Sequence, residues 1–307
     1  MDAALLLTQG LNGLQLGVML FLMAAGLTLV FGIMNLVNLA HGSLYMMGAY
    51  FAAAFLDGTR SFALAVPLAL AAAAVLGIVV ELVVLRPLYR RDHLDQVLAT
   101  FGLILFFNEL VRIVWGKTPR YIALPGALDG SVQVVRGVPY PVYRLVIVAV
   151  GLLVAIFLYL LVTRTRTGML IRAGASNRVM VGALGVDVAR LYTVVFGLGS
   201  ALAGLAGVMA GPILSVESGM GEPILILTFV VIVIGGIGSI RGAFVAALLV
   251  GLVDTLGRAF LPLLLLRLLP PQAANQAGPA LASMLIYVFM AVVLTFRPAG
   301  LFPARTG

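Results

Sequence analysis

The stretch FGIMNLVNLAHGSLYMMGAY, Phe31–Tyr50, sets Asn35, Asn38, His41, Gly42 and Ser43 inside one of the most apolar regions of the chain. Asparagine, histidine and serine are costly in hydrocarbon unless partnered. Glycine and asparagine also interrupt a helix locally. Irregular backbone at membrane depth is tolerated only inside protein or beside a water-filled cavity. Two readings follow. Either NLVNLAHGS is a bent or broken turn that faces protein or solute, or it is a short cytoplasmic turn between two full spans.

The rest of the chain shows that a membrane is the right frame. Of its 307 residues, 63% are hydrophobic and 10% are charged, with mean hydropathy +1.17. A soluble domain carries about 25% charge and about 45–50% apolar residues. Apolar blocks recur close to the roughly 20 residues that span about 30 Å of hydrocarbon. Their runs are continuous rather than alternating, which excludes a β-barrel. The fold class is therefore an all-α polytopic membrane protein. Spans are expected at roughly 11–33, 36–56, 62–85, 96–115, 142–162, 191–211, 224–240, 243–266 and 279–296. Because the first two and the seventh and eighth are tightly joined, eight or nine crossings are expected, some of them broken or re-entrant. No soluble domain interrupts them, so residues 1–307 read as one membrane domain.

The net charge of +8 does not mark a nucleic-acid binder, because the charges are scattered between apolar blocks without a basic stripe. They fit loops that meet anionic membrane lipid. Arg86, Arg90 and Arg91 lie in one loop, and Arg164, Arg166, Arg172, Arg178 and Arg190 in another against the single acid Asp187. Both loops are expected in the cytoplasm, as is the tail with Arg297 and Arg305. The loop 116–141 and the acidic loop 212–223, with Glu217 and Glu222, are then outside. The outer loop carries Lys117, Arg120 and Arg136 against Asp129, a mild exception to the rule. Its Trp115, Tyr121 and Tyr140 suit an interfacial belt. Counting back puts the N-terminus outside. MDAALLLTQGLNG has no basic n-region, so no removable signal peptide is expected. Cysteine is absent and His41 and His93 stand far apart, so neither a metal site nor any other cofactor is expected.

Within the spans, Gly199, Ala203, Gly207 and Gly211 form one smooth stripe, and Ala243, Ala247, Gly251 and Thr255 another. Such stripes let helix backbones approach closely in lipid. Charged residues are few. Asp254 and Arg258 stand four apart and Glu109 and Arg112 three apart, so each pair shares a helix face. Both read as neutralising pairs or as polar lining of a solute path. Glu81 lies close to the inner end of its span and reads as interfacial. A second glycine-rich break, VVIVIGGIGSIRGAFVAALLVG, contains Gly235, Gly236, Gly238 and Ser239. Both breaks show an apolar run, a polar turn, a His- or Arg–Gly–small triplet and a new apolar run. That is a weak hint of an internal repeat around a central path.

Four stretches carry a resemblance. GLTLVFGIMNLVNLAHGSLYMMGAY and GGIGSIRGAFVAALLVGLVD resemble the two signatures of the LivH-type permeases of bacterial branched-chain amino acid ABC importers. TGMLIRAGASNRVMVGALGVDVARL resembles the large cytoplasmic loop of that family, and RPAGLF its tail. The resemblance implies one half of a heterodimeric pore, with a LivM-like second permease subunit. It also implies two cytoplasmic ATP-binding subunits and a periplasmic or lipid-anchored solute-binding protein, in a bacterial cytoplasmic (inner) membrane. The chain has no phosphate-binding loop, since Gly116-Lys117 lacks the earlier glycine, so it is not expected to hydrolyse ATP or to be an enzyme. The arginine-rich loop 163–190 is the natural docking element for an ATPase. Helix-forming character around Ser176–Leu184, with Gly185 as the stop, marks a short helix there. Arg164, Arg166, Arg172, Asn177, Arg178 and Gly185 are its candidate coupling residues. Where many importers carry an acid or lysine, the loop reads Val179, Met180, Val181, so coupling rests on Arg178, apolar contact and Gly185.

The candidate path residues are Asn35, Asn38, His41 and Ser43, with Gly235, Gly236, Gly238 and Ser239 opposite. Importers of urea or short-chain amides contain similar chains, so the alternative solute is an amide. An ion-coupled secondary transporter would need an unpartnered buried carboxylate, and Asp254 has Arg258 to neutralise it. An intramembrane enzyme would need more than His41 with Ser43, which point apart on a helix.

Overall fold

The computed structural model describes residues 3–89, 91–135 and 138–303. Arg90, Arg136 and Arg305 lie outside the described residues. Helix α1 (Ala3–Met34) is followed by α2 (His41–Thr59) and α3 (Phe62–Val80), which runs on through a π-helical segment, Glu81–Leu85, into the single turn α4 (Arg86–Leu88). Then come α5 (His93–Trp115), a hairpin of β1 (Ser131–Val135) and β2 (Val138–Pro141), and α6 (Val142–Arg164). The chain closes with α7 (Arg166–Ala183), α8 (Val188–Ala210), α9 (Gly221–Gly235), α10 (Ile240–Leu265) and α11 (Pro271–Phe296).

Seven of these helices are long and apolar enough to cross a membrane. The other two expected spans are built differently: α2 has 19 residues and α9 only 15. The loop 163–190 is mostly helix, not a loop with one short helix in it. The outer loop carries a hairpin, and its Tyr140 is 1% exposed and donates to Asn12 Oδ1 at 3.2 Å, so it does not belong to an interfacial belt. Tyr121, at 82% exposure, is free to take that role, and Trp115 packs on Tyr50 with ring centroids 5.1 Å apart.

The ends sort as the charges predict. Arg120 and Val216 exchange backbone hydrogen bonds of 2.9 Å each way, which joins the two outer loops. Asn12, near the start of α1, meets Tyr140 and Arg144, so the N-terminal end of α1 lies on that same side. At the opposite end, Gly174 of α7 sits beside Ile33 of α1 and Leu191 of α8.

The core is a set of close glycine crossings. A Cβ on Gly26 would stand 2.6 Å from the Gly199 carbonyl, and one on Gly48 would stand 2.4 Å from the Gly204 Cα. Gly207 meets the Tyr45 backbone, and Gly17 meets Ala247 and Leu248. Both small-residue stripes therefore pack within the chain. Contacts pair α1 with α10 and α8 with α3, α2 with α8 and α9 with α1, and α2 with α3 and α9 with α10. Swapping α1–α2–α3 for α8–α9–α10 leaves that pattern unchanged. Because α1 runs inward and α8 outward, the two units are inverted. The repeat is real in the contacts, but it aligns the break before α2 with the one before α9, not with the Gly235–Ser239 turn.

Candidate functional site: two breaks and an arginine-rich helix

After Met34 the chain turns on Asn35, whose φ of +52° lies in the left-handed region that asparagine tolerates. Residues 35–40 are not helical; they climb back along α1 to where α2 begins. The depth of that start follows from His41, whose Nε2 lies 3.2 Å from the Met23 carbonyl oxygen. Met23 precedes the inner end of α1 by 11 residues, or about 16 Å at 1.5 Å per residue. That is about half of a ~30 Å hydrocarbon core. The opening stretch is thus a broken segment inside the protein, not a cytoplasmic turn.

Asn38 and His41 are both 0% exposed and Ser43 is 4% exposed, whereas Asn35 is exposed. Asn38 Oδ1 accepts from Ala40 N at 3.1 Å, and its carbonyl accepts from His41 N at 3.3 Å, a side-chain turn that starts α2. Asn38 Nδ2 and His41 Nδ1 are buried with no partner among the described residues, as is Thr28 Oγ1. Beside His41, Gly42 touches Gly221: a Cβ on Gly42 would stand 2.5 Å from the Gly221 carbonyl oxygen. The first turns of the two incomplete helices, α2 and α9, therefore meet inside the bundle.

The second break is a tight turn at the inner end. Gly236 and Gly238 have φ of +100° and +82°, and Ser239 Oγ caps α10 by accepting from Gly242 N at 3.1 Å. The tail closes over it: Leu301 N donates to Ile234 O at 2.8 Å and Phe302 N to Gly235 O at 3.0 Å. Near the inner end of α1, Gly32 faces Gly238 of this turn. Asn38 and His41 lie deeper and beside α9 instead.

The Ser176–Leu184 helix is also formed locally. Non-helical φ and ψ of −151° and 93° at Asn177 kink α7, and Asn177 Oδ1 accepts from Met180 N at 3.0 Å, capping a new helical segment. That segment ends in a Schellman motif: Val186 N donates to Val181 O at 3.3 Å and Gly185 N to Gly182 O at 3.0 Å, with Gly185 at φ +85°. Arg164, Arg166, Arg172, Asn177, Arg178 and Gly185 are all exposed. So are Val179 at 77%, Met180 at 57% and Leu184 at 77%. The expected short helix at Ser176–Leu184 with its glycine stop is present, Asn177 being its cap rather than part of its body.

Both intramembrane pairs form: Arg258 Nε to Asp254 Oδ1 at 2.7 Å, and Arg112 Nη1 to Glu109 Oε1 at 2.6 Å on an exposed face. Glu81, at the inner end of α3, is 0% exposed. It accepts from Arg86 Nε at 3.2 Å and Nη2 at 3.3 Å, from Tyr89 OH at 2.7 Å and from Thr193 Oγ1 at 2.9 Å. The one local signal for it was the arginine five residues on.

A sequence-family profile described as "Branched-chain amino acid transport system / permease component" matches residues 10–294. The chain is 31% identical over 307 residues to the high-affinity branched-chain amino acid transport system permease protein BraD of Pseudomonas aeruginosa, covering 96% of this chain and 95% of that one. It is 30% identical over 269 residues to the LivH protein of the same description from Escherichia coli, covering 83% and 87%. A probable branched-chain amino acid transport permease protein LivH of Methanocaldococcus jannaschii is 29% identical over 249 residues, covering 78% and 76%. No solved structure matches the chain.

Proposed function

The chain belongs to the branched-chain amino acid transport permease family, and from that premise we propose that it carries branched-chain or related amino acids across a bacterial cytoplasmic membrane as one permease subunit of an ATP-binding-cassette importer. The whole chain is one permease domain. Its partners are a LivM-like second permease subunit, two cytoplasmic ATP-binding subunits that supply hydrolysis, and a periplasmic or lipid-anchored solute-binding protein.

One observation carries this reading: an arginine-rich inner segment that presents a capped helix with Val179, Met180 and Leu184 to solvent. Three large apolar side chains on a cationic cytoplasmic helix are a poor surface for water, and a groove on a soluble subunit would cover them. Asn38 and His41 support the path assignment, because unpartnered polar atoms at mid-depth are costly unless a passing solute or water meets them. The ion-coupled alternative loses support, since Asp254 is already held by Arg258.

The test is co-expression with the candidate permease, ATP-binding and solute-binding partners. Two ATP-binding subunits should purify with the chain and be lost when Arg178, Val179 and Met180 are replaced by aspartate. Leucine uptake into proteoliposomes should need ATP and the binding protein. Uptake that persists without ATP and collapses with the proton gradient would overturn the proposal.

A further inference from the structure

Helices α1 and α10 touch through backbone where Gly13 meets Gly251 and Leu252 and Gly17 meets Ala247. From that crossing both helices run on to the outer side, where α1 starts and α10 ends. On the outer side of the crossing an open groove between them, of about 320 Å³, is lined by Gln9, Asp254, Thr255, Arg258 and Ala259. A groove between two apolar helices in lipid would ordinarily be filled by leucine or by acyl chain. This one is lined by a carboxylate, a guanidinium, an amide and a hydroxyl.

The pairing inside it is incomplete. Asp254 is 6% exposed, and only its Oδ1 is engaged, by Arg258 Nε at 2.7 Å. Among the described residues, Asp254 Oδ2 has no hydrogen-bond partner, and neither do the two terminal nitrogens of Arg258, whose side chain is 53% exposed. Gln9 accepts from Asn12 through Oε1 at 3.2 Å, which leaves its amide donor free. A pair serving only to cancel charge during insertion would close as a two-point fork, the stronger arrangement for arginine with a carboxylate. Here the contact is one-point. One acidic oxygen and a set of donors are left bordering the same groove.

We propose that this groove binds the head of a zwitterion, with a primary ammonium on Asp254 Oδ2 and an anionic oxygen group on Arg258, steadied by the Gln9 amide. A dipolar ligand suits a site whose own charges sum to zero, and the volume is at the small end of ligand pockets, roughly 300–1,000 Å³. Two sources carry this chemistry: a free α-amino acid entering from outside, and a phosphoethanolamine lipid head from the outer leaflet. The first source rests on the function proposed above; the second does not.

The experiment uses the assembled complex in nanodiscs and proteoliposomes, with Asp254→Asn and the double variant Asp254→Asn/Arg258→Gln. The double variant keeps neutrality, so it removes the site without stranding a lone charge. Native mass spectrometry reads retention of phosphatidylethanolamine against phosphatidylcholine, and uptake of labelled leucine reads the half-saturating concentration. A fall of about tenfold in phosphatidylethanolamine retention in the double variant assigns the lipid. A rise of about tenfold in half-saturation assigns the free amino acid. A double variant that matches the parent in both readings overturns the proposal, whatever the single variant does. If the chain imports nothing, the lipid reading still decides the matter.

Discussion

Glu81 and Thr193 stand 112 residues apart in sequence and 2.9 Å apart in space. Glu81 begins the π-helical segment at the inner end of α3, and Thr193 lies in the second turn of α8, just past the arginine-rich segment. Arg86 Nη2 bridges them, reaching Thr193 Oγ1 at 2.6 Å and Glu81 Oε2 at 3.3 Å. Tyr89 adds its hydroxyl to the carboxylate, and burial together with that hydrogen bond holds its phenol protonated well above the ordinary tyrosine range. The helix that leaves the arginine-rich segment is thus fastened to α3 by a closed polar knot with no exposed carboxylate atom.

Replacing Glu81 by alanine leaves Arg86 without its carboxylate and Tyr89 without its acceptor, while Thr193 keeps the Ala189 carbonyl. Arg86 is 39% exposed and can be rehydrated, so the loss is that of hydrogen bonds to a charged group, about 1.5–3 kcal/mol, and Glu81→Ala should lower the melting temperature of the detergent-purified protein. Tyr89→Phe, which removes one donor and leaves the arginine pair, should cost about 1–2 kcal/mol. Equal melting of parent and Glu81→Ala would show that the knot contributes nothing.

The glycine crossings make a graded prediction. A Cβ at Gly207 would lie 1.9 Å from the Tyr45 carbonyl oxygen, where backbone must move, so Gly207→Ala should prevent a folded yield. Gly102 is mid-helix in α5 with nothing within 4 Å. Gly102→Ala should be neutral or gain about 0.5–1 kcal/mol from helix propensity. Size-exclusion profiles of the two variants from parallel expressions check both.

Much of this was legible in the sequence because hydrophobic length is local. The nine apolar segments, the sidedness of the arginine loops and the short helix before Gly185 all follow from residues within a turn or two of each other. The break at Asn35–His41 was legible only as a break; that it returns to mid-depth depends on Met23 and on the α9 turn at Gly221, both remote. The burial of Glu81 was not legible because its partner Thr193 belongs to another helix. The repeat was sought in similar triplets, yet it resides in helix contacts that no short motif records.

The docking helix depends on two single-residue caps. Asn177→Ala removes the acceptor for Met180 N, a loss of about 1 kcal/mol. Gly185→Ala forces a Cβ into the left-handed region at φ +85°, costing about 1–2 kcal/mol. Each should weaken retention of the ATP-binding subunits several-fold while leaving the melting temperature of the membrane domain nearly unchanged, because neither side chain is buried. A fall in melting temperature that tracks the loss of binding would place both residues in the fold rather than at the docking surface.

Asn38 and His41 supply the last prediction, and their burial makes it sharper. Leucine matches each in bulk, and the ring of His41 packs on Gly26, where a Cβ would stand 3.1 Å from it. His41→Leu forfeits one hydrogen bond to Met23 O, about 1 kcal/mol, and recovers some of that by removing the unpartnered Nδ1. Asn38→Leu loses the turn to Ala40 but also removes the unpartnered Nδ2. Both variants should therefore assemble with stability close to the parent. Uptake should slow in both, because a solute at mid-depth would no longer find an amide or imidazole to replace its lost water. Normal uptake by both assembled variants would take these residues out of the path and leave them as the cap and hinge of α2.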